Sequence, residues 1–249
     1  MSAPPRPAWT SPGPGARNPG LLLIGHGSRD PRHSRAMSSL AEAVREAEPE
    51  SAVEVGFLDL CGPSVAEAYG RLLARDGATH ERPAIRVVPL FLNAGNHVRQ
   101  DVPQALAAAR RVFPVRIGLS VAAPLGPDPL LEEAFGRRIR EAGCWPDDPA
   151  LDLLTAGATR ATEVDPAALA APCRPGTTHR IVLARFLAPG RLPDRAVARA
   201  AAAGVPITEP LISAGLGPAA ELVRLVRARY RGSDPVRPAM VPGTICARA

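Results

Sequence analysis

The chain has 249 residues, of which 46% are hydrophobic and only 4% aromatic, enough apolar material for one large or two small cores. The formal net charge of +6 is carried wholly by arginine, because the sequence contains no lysine. Arginine suits an acidic partner such as a carboxylate or phosphate, but aromatic residues are too few and too scattered to indicate a nucleic-acid partner.

The lengths of the apolar runs and the spacing of the cysteines argue against a membrane protein, a secreted protein and a cysteine-based metal site. No apolar run approaches the roughly 18–20 residues that a membrane span needs, and a stretch rich in proline and glycine stands where a secretory signal would be apolar. The four cysteines are scattered without a C-x-x-C pair, which argues against a zinc or iron–sulfur site. We therefore expect a cytoplasmic protein with no membrane partner and no nucleic-acid partner.

Strand and helix patterns alternate from Leu21 onward, after a disordered tail predicted over residues 1–20. Ser64 is the expected N-cap of the second helix. Four strand–helix units in a row predict a parallel sheet with helices on both faces, in one complete α/β domain over residues 21–143. The first predicted strand begins at Leu21, and the next three strands cover Ala52–Leu60, Ile85–Leu92 and Val115–Val121. The four predicted helices cover Arg32–Ala47, Val65–Asp76, Val102–Val112 and Leu130–Ala142.

A second half, residues 153–231, follows a linker predicted over 144–152 and repeats parts of the first half. Phe91-Leu92 is answered by Phe186-Leu187, at an offset of 186 − 91 = 95. The spacing between repeated motifs is shorter in the second half, which predicts the loss of a strand–helix unit. The second half is therefore expected to be a degenerate α/β domain, and residues 232–249 a disordered tail.

The repeat also separates the two halves by their chemistry. At the offset of 95, Leu192 or its neighbour takes the place of His97, and no histidine of the second half answers His26. We therefore expect the first half to carry the chemistry and the second half to supply a wall of the cleft.

Polar residues follow three of the predicted strands: His26 to Asp30, Asp59, and Asn93 to Asp101. Ligands of parallel α/β sheets bind at the carboxyl ends of the strands. His26 and His97 should therefore converge, although 97 − 26 = 71 positions separate them. Two neutral imidazoles suit a divalent transition metal, and they also suit acid–base work.

Two other motif interpretations are weaker. Gly25 to Ser28 follows a strand and could form a phosphate cradle, but it lacks both glycine-rich nucleotide motifs. Gly118 to Ala122 is similar to the nucleophile elbow of α/β-hydrolases, which would make Ser120 a nucleophile. That elbow must turn straight into a helix, whereas proline and glycine follow here.

Three motifs in order resemble the sirohydrochlorin chelatases of the CbiX/SirB type, part of the class II chelatase family. They are HGSRDP at His26–Pro31, GFLDLCGPSV at Gly56–Val65 and VPLFLNAGNHVRQDVP at Val88–Pro103. FLAPGRLPDR at Phe186–Arg195 is similar to the degenerate second half of longer members. The resemblance implies two similar domains with a tetrapyrrole held in the cleft between them. It also implies ATP-independent insertion of Fe²⁺ or Co²⁺ into sirohydrochlorin, in siroheme or cobalamin biosynthesis, with no cofactor beyond that metal.

The same resemblance implies roles for individual residues. His26 and His97 are the metal-binding and proton-accepting pair, and Asp59 stands where many members carry glutamate, with a side chain one methylene shorter. Arg29, Arg99 and Arg191 are placed to meet carboxylate arms of the substrate, and the loop around Gly95 lets backbone N–H groups approach the ring. The expected substrate-binding residues are Ser28, Arg29, Asp59, Asn93, Ala94, Gly95, Asn96 and Arg99.

Two alternatives stay open at this point. A tetrapyrrole or metal carrier would have the same pocket without turnover, and a phosphate-binding enzyme would bind nucleotides on the same sheet. Because two fused halves remove the usual reason to dimerise, a monomer is expected rather than a dimer.

Overall fold

The computed structural model describes residues 18–76, 84–157 and 165–232. In the first half of the chain, strands and helices alternate as predicted, and each helix lies within one residue of its predicted bounds. One additional element, a π-turn at His97–Asp101, directly precedes α3. The elements are β1 (Gly20–Gly25), α1 (Pro31–Ala47), β2 (Val53–Phe57), α2 (Val65–Asp76), β3 (Ala84–Pro89), α3 (Val102–Val112), β4 (Gly118–Val121) and α4 (Pro129–Glu141).

Strand β1 lies inside a four-stranded sheet of order β2-β1-β3-β4, in which every adjacent pair is parallel. Leu23 of β1 lies opposite Val55 of β2 on one side and Val88 of β3 on the other. All six residues of β1 are buried. A strand covered on both faces is apolar throughout rather than alternating, which explains its continuous GLLLIG run.

Three predicted strands are shorter in the structure, and the differences lie largely at the carboxyl edge of the sheet. β2 ends at Phe57 and β3 at Pro89, before the predicted ends at Leu60 and Leu92. Leu60, three residues beyond β2, has a φ of +67°, which is not an extended conformation. β4 begins only at Gly118. Leu60 and Leu92, which were predicted to end β2 and β3, therefore lie in loops. Their side chains do not follow the alternation of a strand between the two faces of the sheet.

Helix α2 begins with a reciprocal capping box, which confirms Ser64 as the N-cap. The backbone N–H of Glu67 donates to Ser64 Oγ over 3.3 Å, and the N–H of Ser64 donates to the Glu67 carboxylate over 2.7 Å. The backbone and side-chain hydrogen bonds from Ser64 lower the pKa of Glu67. This cap fixes where the chain turns from the β2 loop into α2.

Helices α2 and α3 pack with the sheet in one apolar cluster. Gly70 of α2 permits the close approach of Phe113, because a Cβ at Gly70 would lie 2.5 Å from that ring. The buried members of the cluster are Leu22, Ile24, Val65, Ala68, Tyr69, Leu72, Ile85, Val87, Val102, Leu106, Ala109 and Ile117. This core packs both helices against β1 and β3.

The second half has a smaller parallel pair, in which Leu153 lies opposite Ile181. Its two strands pair directly, as β1 pairs with β3, and among the described residues of this half no strand–helix unit corresponds to β2 and α2. This is the shortened second half that the repeat predicts. The elements are β5 (Leu151–Ala156), α5 (Pro166–Ala170), β6 (His179–Ala184), α6 (Arg191–Ala202), β7 (Ile212–Ser213), β8 (Gly217–Pro218) and α7 (Ala220–Arg231).

The described residues form two compact units that interleave along the chain. Within the described ranges, one draws on residues 18–27, 44–76, 84–126 and 226–232, and the other on 28–43, 127–157 and 165–225. Because each unit includes parts of both halves, this division does not test whether each half would fold alone, and the predicted domain bounds stay a prediction.

The ends of the chain were predicted to be tails, and most of both lies outside the described residues. β1 begins at Gly20, inside the first predicted tail, and β5 begins at Leu151, inside the predicted linker. Over the described ranges, no helix combines the length and the apolar character needed to cross a membrane.

Candidate active site

His26 stands on the segment that leaves β1, and backbone hydrogen bonds fix its position. The N–H of Leu58 donates to Gly25 O and the N–H of Asp59 donates to His26 O, each over 3.0 Å. These bonds continue the pairing of β1 with β2 beyond the last residue of either strand. The His26 side chain is exposed, so a rigid backbone presents a solvent-accessible imidazole.

Gly27 is required where the loop after β1 meets the loop after β2. Its φ is +96°, which L side chains rarely adopt, and a Cβ at this position would lie 1.9 Å from Asp59 O. Only glycine satisfies both conditions. The glycine that follows His26 in the sequence is therefore explained by the contact between these two loops.

His97 opens the π-turn, in which the N–H of Val102 bonds to His97 O, five residues back. Such turns are rare and are frequently found at functional sites. The predicted bounds of the helix, Val102–Val112, are confirmed. The residues just before it were predicted to be a loop but are helical, since Asn96 already has helical φ and ψ and the π-turn follows it. Pro103 in the first turn of α3 has no N–H to donate backward, so one backbone hydrogen bond is missing where the π-turn passes into α3, although helical φ and ψ continue through Asp101 and Val102.

The two histidines converge as predicted. Their ring centroids are 4.5 Å apart, with the ring planes inclined by 37°. The ring of Phe91, just beyond β3, stacks near that of His97 with a centroid distance of 6.0 Å and an angle of 20°. His97 is half exposed. The site therefore presents two adjacent imidazoles at the carboxyl edge of the sheet.

Asp101 is hydrogen-bonded to His97, and it was not among the site residues predicted from the sequence. His97 Nδ1 and Asp101 Oδ2 are 2.5 Å apart, at i and i+4. Which of the two atoms donates depends on the tautomer of the His97 ring, and an ionised carboxylate can only accept. The i, i+4 spacing is a helical signal, which was hidden because the segment was predicted to be a loop.

Two predicted substrate-binding residues use their side chains within their own loops. Asp59 Oδ1 accepts from the N–H of Leu60 over 2.7 Å, and Ser28 Oγ accepts from the N–H of Asp30 over 3.1 Å. Hydrogen bonds from Arg32 hold the pKa of Asp30 at about 2, well below its ordinary value. These bonds order the loops that follow β2 and β1.

The other predicted substrate-binding residues are all exposed, and their roles stay predictions. A Cβ at Gly95 would meet nothing within 4 Å, so space does not require glycine there, in contrast to Gly27. These residues are Arg29 and, between β3 and the middle of the π-turn, Asn93, Ala94, Gly95, Asn96 and Arg99.

The metal-binding capacity of the site rests on the histidine pair. Among residues 18–76, 84–157 and 165–232, no group of three or more His, Cys, Asp or Glu side chains is arranged to hold a metal ion. Two imidazoles supply two borderline ligands and leave the remaining coordination positions of a divalent ion to other donors. Such a pair can take up an ion and still offer it to a second set of nitrogen ligands.

The hydrolase interpretation is wrong. Ser120 lies within β4, opposite Arg86 of β3, and the next helix begins only at Pro129. The Ser120 hydroxyl is buried and has no hydrogen-bond partner among the described residues. It therefore stands on a strand and not on the strand-to-helix turn that exposes a hydrolase nucleophile.

Comparisons with known proteins agree on one group of relatives. A protein-family model described as CbiX matches residues 20–142. A sirohydrochlorin cobaltochelatase of Methanopyrus kandleri is 35% identical over 141 residues, covering 49% of this chain and 95% of that protein. A sirohydrochlorin ferrochelatase of Bacillus subtilis is 27% identical over 123 residues, covering 49% of this chain and 45% of that protein.

A solved structure shares the fold over most of the chain. It is the crystal structure of the sirohydrochlorin chelatase SirB from Bacillus subtilis subspecies spizizenii in complex with cobalt. The TM-score is 0.63 at 20% sequence identity, and the match covers 86% of this chain and 94% of that chain. At this identity the likeness concerns the fold, and it includes the second half that the family model does not match.

Proposed function

The chain belongs to the CbiX family, and from that premise we propose that it inserts a divalent metal ion, Co²⁺ or Fe²⁺, into sirohydrochlorin. The relatives are named as chelatases, which favours an enzyme over the carrier considered from the sequence. The observation that carries the proposal is the pair of imidazoles, His26 and His97, whose centroids are 4.5 Å apart at the edge of the sheet where ligands bind.

The chemistry of metallation matches what two imidazoles can do. Two protons must leave the pyrrole nitrogens of the macrocycle, and the incoming ion must lose its waters. A neutral imidazole can replace water on the ion, while the second imidazole accepts a proton from the ring. General-base assistance of this kind supplies about 10²–10⁴-fold in rate. The protons then pass to solvent, which reaches both exposed histidines.

Charged and backbone groups near the pair are proposed to hold the substrate. Sirohydrochlorin carries carboxylate arms, and the exposed guanidinium groups of Arg29 and Arg99 can bind such groups in two places. The exposed loop Asn93–Asn96 offers backbone N–H groups toward the ring edge. Asp59 and Ser28 act in this proposal mainly by ordering the loops, because their side chains already bond to neighbouring backbone N–H groups.

Several finer statements remain proposals. We propose that the metal substrate is the only metal or cofactor the reaction needs, that the protein is a cytoplasmic monomer, and that siroheme or cobalamin biosynthesis uses its product. The names of the relatives include both a cobaltochelatase and a ferrochelatase, so the choice between Co²⁺ and Fe²⁺ is left to experiment.

Metallation followed by absorbance tests the proposal. Purified full-length protein is mixed anaerobically with sirohydrochlorin and Co²⁺, Fe²⁺ or Ni²⁺, and the spectral change is compared with the rate without protein. His26→Ala and His97→Ala are expected to lower the rate by about 10²–10⁴-fold, while binding of sirohydrochlorin, measured by fluorescence, is retained. His179→Ala, at the start of β6, serves as the matched control and should leave the rate unchanged.

The outcomes separate the alternatives considered from the sequence. Binding of sirohydrochlorin without acceleration for any of the three metals would indicate a carrier and overturn the proposal. Wild-type rates in both His26→Ala and His97→Ala would show that the histidine pair is not the catalytic site.

A further inference from the structure

We propose that Asp101 is a positioning residue that holds His97 in the tautomer with the proton on Nδ1 and the lone pair on Nε2. This inference rests on the proposed function, because it assigns Nε2 as the His97 nitrogen that meets metal or proton.

The bond between the two side chains is short and local. His97 Nδ1 and Asp101 Oδ2 are 2.5 Å apart, within the single π-turn that begins at His97 and ends at Asp101. Both side chains remain about half exposed, at 50% and 44%. Their pairing therefore depends on the shape of this turn and leaves the rest of the imidazole accessible.

Asp101 is not explained by helix capping. It directly precedes α3, but the π-turn before it is already helical, so Asp101 lacks the extended backbone with which an N-cap aspartate accepts from an N–H of the first turn. Here Asp101 has helical φ and ψ of −73° and −40°, and its side chain makes no cap hydrogen bond. In contrast, Asp128 at the N-cap of α4 accepts from the N–H of Leu130. The Asp101 carboxylate therefore has no capping role, and its side-chain bond is the one to His97.

A carboxylate at this position decides between two forms of the neutral ring. A neutral imidazole carries its one proton on Nδ1 or on Nε2, and only the unprotonated nitrogen can bind a metal or accept a proton. Since Asp101 can only accept, it favours the proton on Nδ1. With Nδ1 occupied, Nε2 is the reactive nitrogen. Carboxylate partners of this kind orient metal-binding histidines in other sites, and their loss typically costs about 10–100-fold in affinity or activity.

The neighbouring rings limit how His97 can respond to loss of this bond. His26 lies at 4.5 Å and Phe91 at 6.0 Å, both measured between ring centroids. The ring therefore keeps its place through these contacts while its tautomer is free to change. A variant of Asp101 is expected to alter the proton position on His97 more than the location of the side chain.

Asp101→Asn is the decisive variant, because an amide can donate to Nδ1 as well as accept from it and so permits either tautomer. Long-range ¹H–¹⁵N NMR of full-length protein reports which nitrogen of His97 is protonated, and metallation kinetics are measured on the same samples. We expect the wild type to show the Nδ1–H form, and the variant to show a mixture. The variant should lose about 10–100-fold in kcat, with KM for sirohydrochlorin unchanged.

Two further variants separate positioning from general effects. Asp101→Glu keeps an acceptor and should recover part of the lost kcat, whereas Asp101→Ala should not. Glu50→Gln removes the same charge from an exposed residue just before β2, at the opposite edge of the sheet from His97, and should leave tautomer and kcat unchanged. A melting temperature of Asp101→Asn close to that of the wild type would show that lost rate does not reflect lost folding.

The outcomes distinguish failure of this inference from failure of the proposed function. If Asp101→Asn keeps the Nδ1–H tautomer and the wild-type kcat, Asp101 does not position His97, while metallation by the wild type still stands. If the wild type does not metallate sirohydrochlorin, the proposed function fails. In that case the comparison of His97 tautomers by NMR still supports or overturns the role of Asp101, because it does not depend on a metallation rate.

Discussion

The imidazole rings of His26 and His97 lie 4.5 Å apart between centroids, although 97 − 26 = 71 positions separate them along the chain. They meet because β1 and β3 are adjacent parallel strands, so the segments that leave both strands emerge at the same edge of the sheet. Neither histidine has a counterpart in the second half, which makes this pair an asymmetric site on an approximately repeated fold.

The first prediction concerns coupling between the two histidines. If they act on one ion and one macrocycle, the effects of His26→Ala and His97→Ala on kcat/KM should not multiply. The double variant should be only about as slow as the slower single variant. Parallel metallation rates of the four proteins measure this coupling. Independent roles would instead appear as a double variant whose loss equals the product of the two single losses.

The second prediction concerns the contact between the loops after β1 and β2. Gly27→Ala should lower the free energy of unfolding by at least about 2 kcal/mol, because a side chain at φ +96° is strained and its Cβ would overlap Asp59 O. Denaturant unfolding measures the change. Gly95→Ala is the matched control for stability, since a Cβ there meets nothing within 4 Å. Equal stability of the two variants would contradict the tight contact.

The third prediction concerns Glu48, which follows α1 and is 5% exposed. It accepts hydrogen bonds from Arg227 over 2.7 Å and from Arg231 over 3.0 Å. Burial alone would raise the pKa of Glu48, but the bonds from Arg231 and Arg227 outweigh it and lower the pKa. Glu48→Gln should therefore cost about 1–2 kcal/mol at neutral pH.

The pH dependence of this effect follows from the direction of the shift. A carboxyl group whose pKa is lower in the folded state stabilises that state fully above its unfolded pKa of 4.5, and the stabilisation is lost as the pH falls through the folded pKa. The stability difference between wild type and Glu48→Gln should shrink over that range in thermal melts. Glu50→Gln, at an exposed position, removes the same charge and serves as the matched control. A constant Glu48→Gln effect at every pH would count against the ion pairs.

The fourth prediction contrasts two buried tyrosines. The Tyr69 hydroxyl is buried and has no hydrogen-bond partner among the described residues, and burial raises its pKa. The Tyr230 hydroxyl bonds to Pro19 O over 2.5 Å and to Ser51 Oγ over 2.9 Å. Tyr69→Phe should leave stability unchanged or raise it by about 1 kcal/mol, whereas Tyr230→Phe should lower it by about 1–3 kcal/mol.

Thermal and denaturant unfolding of both tyrosine variants check this contrast. The two substitutions remove the same atom, so differences in side-chain packing contribute little to the comparison. A loss of stability in Tyr69→Phe as large as that in Tyr230→Phe would show that the Tyr69 hydroxyl has a bonding partner after all.

Much of the fold follows from local patterns in the sequence. The continuous apolar run of β1 indicates a strand buried on both faces, and the spacing of Met37, Leu40 and Val44 selects the face that α1 buries. Ser64 and Glu67 supply a capping box within four residues of chain. These features depend on a few neighbouring residues each, which is why the order of elements and the bounds of the helices could be predicted.

The sequence also determined that two histidines follow strands, since strand ends of a parallel sheet share one edge. It did not determine what holds those histidines. The bond between His97 and Asp101 depends on a π-turn, and no pattern of residues in the sequence predicted that turn. The fit of Gly27 against Asp59 depends on two loops that meet only after the sheet forms. Hydrogen bonds and close approaches need positions accurate to a few tenths of an ångström, and only the packed tertiary structure supplies them.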